Sequence, residues 1–350
     1  MRTLQQSWPR LPSAKAMKAD ISLITSLYAS EPHLNTFADA ISSVFWDLVG
    51  RGVRPQLVVI ANAPSPRERA AVARIRDAAT QDGAGEVVVK EVGRESVYAS
   101  WNRGVASASA DYLGFWNVDD LRNSDALCEG LGLLRGNGAA LVYFPWIEVR
   151  AAGGLLPRWH VWAAFSDAPA FSRNEFRRDM LTGPFFLFSR ALYEQVGRFD
   201  EQFRIVGDFD WCVRATDHCD FVRGRRTGGI FVRHPGGLSS SGHPLHACEN
   251  NVVFLRHGIL DRVAPAPRSL MRKYSLEYPG VQVAADASTV ARVFGSPGDE
   301  PEFDLAAWER AQRRRAALSM ATAAPRGLLR RLGLRRAHVD ALLRCGGARP

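Results

Sequence analysis

The sequence predicts an α/β protein with a mostly parallel central sheet flanked by helices, followed by a helical C-terminal extension. Strand-like and helix-like segments alternate from residue 21 to residue 116. The strand-like segments are continuous apolar runs, which are typical of parallel strands buried on both faces. The segments between them carry apolar residues at helical spacing, and this alternation indicates βαβ units.

The elements of the first half follow in chain order. The predicted strands are ISLITSLY from Ile21, QLVVIA from Gln56, EVVVKEV from Glu86 and YLGFW from Tyr112. The predicted helices are HLNTFADAISSVFWDLV from His33, RERAAVARIRDAA from Arg67 and a small-residue helix from Val97 to Ser109. In the first helix the apolar residues recur every three or four positions, so one face is expected to pack on the sheet.

After Ala140 the pattern changes. LVYFPW and PFFLFS are predicted strands, RALYEQVG is a short helix that ends at Gly197, and DFDWCVRAT begins another helix. GGIFVRHPGGLSSSG is a strand that runs into a glycine- and serine-rich loop. Residues 151–182 are rich in aromatic residues and are predicted to be loop.

These shifts in pattern divide the chain into three parts. Residues 1–18 form an N-terminal tail, and residues 19–262 form the α/β domain, with halves 19–140 and 141–262. Residues 263–350 form a proline-rich linker and an arginine-rich helical extension.

Composition narrows the class of protein. The chain has 350 residues, a net charge of +9 and five cysteines without a C-x-x-C pair. We find no signal peptide and no apolar run long enough to span a membrane, so the sequence predicts a cytoplasmic protein. The positive charge suits a phosphate-bearing ligand, an anionic membrane surface or nucleic acid.

Two adjacent carboxylates end the most apolar strand. Asp119 and Asp120 follow YLGFW after Asn117 and Val118. They could form the turn and cap the next helix. Alternatively, they could hold a divalent cation, which would offset their mutual repulsion and complete its shell with substrate phosphates.

Further motifs surround this pair in a defined order. Thr25, Ser26 and Glu31 follow the first strand, and Asn62 and Ser65 follow the second. Asn102-x-Gly104 precedes the acid pair, and GPFFLFSRALYEQVGRFDEQFRIVGDFDWCVR follows it. In order and spacing these segments, from Ile21 to Gly242, resemble the family 2 glycosyltransferases, whose Rossmann-like fold is called GT-A.

The resemblance implies an inverting transferase that moves a sugar from a nucleoside-diphosphate sugar, by default a UDP-sugar, to a hydroxyl of a carbohydrate or lipid-linked acceptor in glycan or polysaccharide assembly. It implies Mn²⁺ or Mg²⁺ at Asp119, Asp120 and His234. The implied nucleotide-sugar contacts are Thr25, Ser26, Glu31, Asn62, Asn102, Asn117 and Asp119. Asn117 and Asn62 depart from the family, which has acids at both positions.

Asp208 matches the family's catalytic base, and Asp210 is the second candidate. An acceptor hydroxyl is a poor nucleophile, so a carboxylate must take its proton. Both residues could instead be first-turn acids favoured by the helix dipole. Likewise His234 could be a surface residue, and Trp159 and Trp162 could either stack on an acceptor sugar or pack in the core.

Other functions remain open at this stage. Asparagine in place of the two acids leaves open a nucleotide-sugar-binding protein of the same fold without turnover. The arginine-rich tail suits nucleic acid, but it lacks interleaved aromatics, so no nucleic-acid partner is expected. A nucleotidylyltransferase would need a glycine-rich loop that SLYASEPHLN does not provide. Residues 326–344 place leucines along one helical face among arginines, which predicts peripheral contact with an anionic inner membrane face.

Overall fold

The computed structural model describes residues 18–81, 85–136, 138–151, 161–233 and 243–271, with six more residues between 303 and 311. The strands are β1 (Ile21–Leu27), β2 (Pro55–Asn62), β3 (Glu86–Val92), β4 (Tyr112–Phe115), β5 (Leu121–Arg122), β6 (Leu141–Tyr143), β7 (Trp146–Ala151), β8 (Val161–Ser166), β9 (Leu187–Ser189), β10 (Val222–Arg223) and β11 (Gly229–Arg233). The helices are α1 (Leu34–Gly50), α2 (Pro66–Gln81), α3 (Val97–Ser107), α4 (Ser124–Gly136), α5 (Arg173–Phe176), α6 (Arg190–Val196), α7 (Gly207–Ala215) and α8 (Pro244–Arg256).

A seven-stranded sheet forms the centre of the fold, in the order β10-β6-β9-β4-β1-β2-β3. β9 runs antiparallel to its neighbours β4 and β6, and the other pairs are parallel. α1, α2 and α4 share one apolar cluster with one face of the sheet, and α3, α6, α7 and α8 share a second cluster with the other face. The predicted α/β architecture is therefore confirmed.

A second sheet of four strands, in the order β5-β11-β7-β8, adjoins the first. The predicted strand LVYFPW is in fact divided between the two sheets, because β6 ends at Tyr143 and β7 begins at Trp146. Pro145 lies at the break, where the absence of an N–H prevents a continuous ladder.

Two parts of the second half differ from the sequence prediction. The segment 151–182, predicted as loop, contains β8 and α5. β8 pairs antiparallel with β7, so its strand state depends on a partner rather than on a local alternation. α8 was not predicted; Pro244 is its first residue and the His243 side chain accepts the Leu245 N–H.

The chain order of the strands reverses beside β1, and we call the space beyond the strand ends at this reversal the crevice. From β1 the chain moves outward to β2 and β3, and then returns to the other side of β1 at β4. Parallel sheets bind ligands beyond the carboxyl ends of their strands at such a reversal. The ends of β1, β2, β3 and β4 all meet there.

Of the predicted C-terminal extension, the structure describes residues 263–271 and six residues between 303 and 311. Phe303 packs against the main core and its N–H donates to Ser269 Oγ at 3.0 Å, but the boundaries of the three predicted parts stay predictions. None of the helices in the described ranges has the length and apolar character of a bilayer-spanning helix. Residues 326–344 lie outside the described residues.

Candidate active site

The acid pair at the end of β4 is divided between two environments. Asp120 is 2% exposed, and its Oδ1 accepts the Val232 N–H at 3.1 Å while its Oδ2 accepts Asn117 Nδ2–H at 3.1 Å. Burial, and then the charge of Asp119, raise the pKa of Asp120 well above its usual value. Asp120 thus joins the end of β4 to the second sheet, while Asn117 and Asp119 are half-buried at the crevice.

A buried cation lies behind the pair. Arg122 donates to the carbonyl oxygens of Phe115 and Phe185. Burial lowers its pKa to about 9, and the nearby charge of Asp120 opposes that decrease. Asp120 and Arg122 therefore offset part of each other's desolvation cost.

The residues at the end of β4 fit a divalent cation in a limited way. No cluster of three or more His, Cys, Asp or Glu side chains able to hold a metal occurs among the described residues, and His234 lies outside them. Mg²⁺ and Mn²⁺ in nucleotide sites need one or two carboxylates when phosphates complete the shell. Asp119 fits that role, while Asp120 already accepts two hydrogen bonds from the protein.

Three side chains predicted to contact the nucleotide have internal partners instead. Thr25 is fully buried and its hydroxyl donates to the Trp116 carbonyl at 2.8 Å. This bond ties β1 to the end of β4, where the Trp116 N–H also donates to the Ile24 carbonyl. Thr25 therefore supports the crevice floor, and its contact with the nucleotide-sugar stays a prediction.

Asn62 is the second predicted nucleotide contact that has internal partners. Its Nδ2 donates to Ser26 Oγ at 3.2 Å and to Ser100 Oγ at 2.8 Å, and its Oδ1 accepts the Glu95 N–H at 3.2 Å. A side chain that is 1% exposed and bonded in this way links β1, β2 and α3. Asn62 thus supports the crevice wall, and its contact with a nucleotide base stays a prediction.

Asn102 is the third, and its amide is fully satisfied. Nδ2 donates to the Phe199 carbonyl and to Glu201 Oε1, both at 2.9 Å. Oδ1 accepts the Tyr193 hydroxyl at 2.8 Å and the Phe199 N–H at 3.0 Å. Two donors and two acceptor positions are all that an amide offers, so Asn102 fastens the loop before α7 to α3.

Ser26 and Glu31 stay at the rim of the crevice. Ser26 is half-buried beside Asn62, and Glu31 is exposed. Glu31 accepts the Ser65 hydroxyl at 2.7 Å and a longer bond from Arg67 at 3.4 Å. Glu31 therefore bridges the loops after β1 and β2.

The sequence analysis missed an exposed aromatic at the same edge. Tyr28, directly after β1, is 48% exposed, and the Arg94 guanidinium lies 4.9 Å from its ring centre. Ala29 and Ala63 have positive φ angles of 50° and 41°, which non-glycine residues rarely adopt outside functional or strained sites. The position of Tyr28 at a strand end was the available signal.

Asp208 lies in the first turn of α7 and is half-buried. Its Oδ1 accepts the Phe209 N–H at 2.9 Å and lies 3.1 Å from the Tyr98 hydroxyl. Burial raises the pKa of Asp208 to about 6, although these hydrogen bonds favour the ionised form. The carboxyl is therefore mostly ionised at pH 7.

Tyr98 places Asp208 relative to the sheet. Tyr98 is in the first turn of α3, which follows β3, so this turn lies at the carboxyl-end edge of the sheet. Gly207 packs on its ring, since a Cβ there would lie 2.7 Å from the ring atoms. Asp208 is thus brought to the same edge as Asn117 and Asp119.

Asp210, two residues later, has a different environment. It is fully buried, with Oδ2 accepting Arg214 Nε–H at 3.0 Å and Oδ1 accepting Arg256 Nη1–H at 3.1 Å. Burial alone would raise its pKa, but the His257 hydrogen bond and the two arginine charges hold the pKa below its usual value. Asp210 joins α7 to α8, which favours Asp208 as the carboxylate that meets a substrate.

The predicted acceptor residues are not placed. Trp159 lies outside the described residues. Trp162 pairs with Arg150 in the β7–β8 ladder, and its side chain is not described.

The comparisons with known proteins give the fold. The sequence matches no family profile and no curated protein. Among solved structures, S. aureus TarS 1–349 in complex with UDP-GlcNAc matches with a TM-score of 0.54 and 14% identity over 94% of this chain and 90% of that chain. TarS 1–349 without a named ligand and in complex with UDP match over the same shares, with TM-scores of 0.52 and 0.51 and identities of 14% and 13%. The chain therefore shares the fold of S. aureus TarS 1–349.

Proposed function

We propose that this protein transfers a sugar from a nucleoside-diphosphate sugar to a hydroxyl acceptor with inversion at the anomeric carbon. One observation carries the proposal: Asp208, through Tyr98, lies at the same edge of the sheet as Asn117 and Asp119. The reaction needs one group to support the leaving diphosphate and another to accept the proton of the attacking hydroxyl. This edge offers both, on different elements.

The donor side is assigned to the ends of β1 and β4. Asn117 offers an amide to the ribose, and Asp119 is the carboxylate with access to the crevice. The exposed ring of Tyr28 offers an apolar face to a nucleobase. Bound Mn²⁺ or Mg²⁺ would neutralise charge that develops on the departing diphosphate, and Asp119 is the residue that would hold it.

The nucleophile side is assigned to Asp208. Its carboxyl is mostly ionised at neutral pH because its pKa is about 6, so it can accept the hydroxyl proton as the hydroxyl attacks. The Tyr98 hydroxyl and the Phe209 N–H hold Oδ1, while Oδ2 is the atom proposed to meet the acceptor.

The choice of donor and acceptor rests on resemblance. UDP is the proposed nucleotide because it is the default of the family resembled, and TarS 1–349 with the same fold was solved with UDP-GlcNAc and with UDP. A carbohydrate or lipid-linked acceptor in glycan assembly is proposed on the same ground. Peripheral contact of the C-terminal segment with an anionic membrane is proposed from its sequence alone.

A binding protein without turnover is the alternative. It is favoured by the use of both Asp120 oxygens within the protein, which leaves Asp119 as the main candidate ligand for a metal at the end of β4. Such a protein would bind donors through the same crevice.

A donor screen separates these functions. The protein is incubated with UDP-, dTDP- and GDP-sugars in Mn²⁺ and in EDTA, and both binding and nucleotide release are measured. Release in Mn²⁺ that is lost in EDTA supports the metal-dependent transferase. Binding without release identifies the binding protein, and neither binding nor release contradicts the donor site itself.

A further inference from the structure

A buried carboxylate on α8 accepts hydrogen bonds from the turn that leads into α7. Glu249 Oε1 accepts the Arg204 N–H at 2.9 Å, and Oε2 accepts the Ile205 and Val206 N–H groups at 2.8 and 3.1 Å. Glu249 is fully buried, and burial raises its pKa to about 7 against these bonds. A desolvated carboxylate is costly, so three bonds to one turn indicate that the turn must be fixed.

The same turn is fastened to α3 from the other side. The single hydroxyl hydrogen of Tyr98 is shared between two acceptors, the Ile205 carbonyl at 2.7 Å and Asp208 Oδ1 at 3.1 Å. The Ser96 hydroxyl donates to the Glu201 carbonyl at 2.8 Å, three residues before this turn. The turn 204–206 is therefore held by α8 through its N–H groups and by α3 through the Ile205 carbonyl.

Tyr98 itself has little freedom to move. It is 2% exposed, and its ring packs edge-on against Trp101 and parallel to Phe199, with ring centres 5.2 and 6.2 Å apart. Gly207 lies against the ring, where any Cβ would clash at 2.7 Å. The hydroxyl is thus presented to Asp208 from a fixed position.

We propose that Glu249 and Tyr98 are positioning residues for Asp208: Glu249 fixes the turn 204–206, and Tyr98 connects that turn to the Asp208 carboxyl. This relay sets where Asp208 Oδ1 lies and which protonation state it favours. The proposal rests on the proposed function only for its effect on catalysis. Among the described residues, Arg204 and Cys248 also interact electrostatically with Glu249, and Cys212 interacts with Asp208.

The first test is Tyr98→Phe, which keeps the ring and removes the hydroxyl. Carboxyl ¹³C NMR titration of the free protein, with Asp208 assigned by its loss in Asp208→Asn, measures the midpoint directly. Losing this shared donor to the ionised form should raise the Asp208 midpoint by about 0.5 to 1 pH unit, less than the loss of a full charge-assisted hydrogen bond would. The acid limb of sugar transfer should move with it, and kcat should fall while KM for the donor stays unchanged.

Tyr143→Phe is the matched control. Tyr143 is also buried and its hydroxyl also donates to a backbone carbonyl, that of Pro169 at 2.6 Å. Loss of that bond should lower the melting temperature without moving the Asp208 midpoint or kcat.

The second test is Glu249→Gln. The amide keeps one acceptor oxygen, but its NH₂ group would then face an N–H of the turn. We expect kcat to fall about 10- to 100-fold through misplacement of Asp208, with donor KM unchanged. If this variant does not fold, Tyr98→Phe alone tests the proposal.

The outcomes separate the relay from the proposed function. An Asp208 midpoint in Tyr98→Phe equal to that in Tyr143→Phe overturns the relay, whatever the activity. A raised midpoint together with normal transfer by Asp208→Asn supports the relay and refutes Asp208 as the base.

Discussion

Replacing Asp208 by Asn should abolish most sugar transfer and yet stabilise the protein. Asn keeps the size of the side chain and the acceptor for the Phe209 N–H, but it cannot take a proton from the acceptor. Loss of a positioned base typically costs about 10²- to 10⁴-fold in rate. Donor affinity should stay near normal, because Asp208 is assigned to the nucleophile side.

The gain in stability follows from the pKa. Burial raises the pKa of Asp208 from 3.8 to about 6, so between these values the folded state binds more protons than the unfolded state. Stability from this group is therefore present below pH 4 and is lost as pH rises through 6. A difference of about two pH units corresponds to about 3 kcal/mol, and solvent at the half-buried carboxyl reduces this to about 1–2 kcal/mol.

Thermal unfolding and initial rates of transfer measure both effects. At pH 7.5 Asp208→Asn should melt above the wild type, and the gap should close near pH 4, where both side chains are neutral. Wild-type transfer should fall to about half its plateau near pH 6 and to about a tenth near pH 5. A variant that transfers normally, or that melts below the wild type at pH 7.5, refutes the reasoning.

Four further predictions concern other parts of the molecule. Asp210→Asn removes the buried charge that half-buried Arg214 and Arg256 share, although both arginines keep other hydrogen bonds. It should lower the free energy of unfolding by about 1–3 kcal/mol, with transfer per folded molecule little changed; normal stability with lost transfer would move the base to Asp210. Asp119→Ala should lose most activity and most metal-dependent nucleotide affinity, and full wild-type activity in EDTA would contradict this. Gly104→Ala places a Cβ 2.2 Å from an isoleucine of β1 and should lower the free energy of unfolding, measured by chemical denaturation, by about 1–3 kcal/mol. In the same assay the control Gly132→Ala, whose Cβ enters open space beside α4, should be neutral or stabilising. Deletion of residues 322–350 should reduce flotation with anionic liposomes, and equal flotation ends the membrane proposal.

The sequence was most informative where one local pattern decides the structure. β3 spans Glu86–Val92 as predicted, because its apolar run is bounded by polar residues. The first half of the sheet followed from such runs. β8 could not be predicted in the same way, since its strand state comes from pairing with β7.

The roles of polar side chains depend on partners far away in the chain. Asn62 and Asn102 stand where a ligand contact was expected, but Glu95, Phe199 and Glu201 occupy their hydrogen-bonding groups. Nothing in the local sequence shows these partners. The relay from Glu249 was invisible for the same reason.

Asp208 and Asp210 show what the sequence could have distinguished. Residues two apart on a helix point in different directions, so one acid of the pair was bound to face inward. Arg214, four residues after Asp210, was a visible signal for an ion pair. Deciding which of the two acids faces the crevice required the position of Tyr98 in the structure.

The stereochemistry of donor hydrolysis tests the central claim most directly. The claim is a single displacement, with the leaving group supported at Asp119 and the nucleophile activated at Asp208 on the opposite face of the sugar. With an α-linked UDP-sugar and water as acceptor, ¹H NMR of the first product before mutarotation should show the β-anomer, and Asp208→Asn should slow its appearance about 10²-fold or more. A first product with the α-configuration would require a second displacement and would contradict the account.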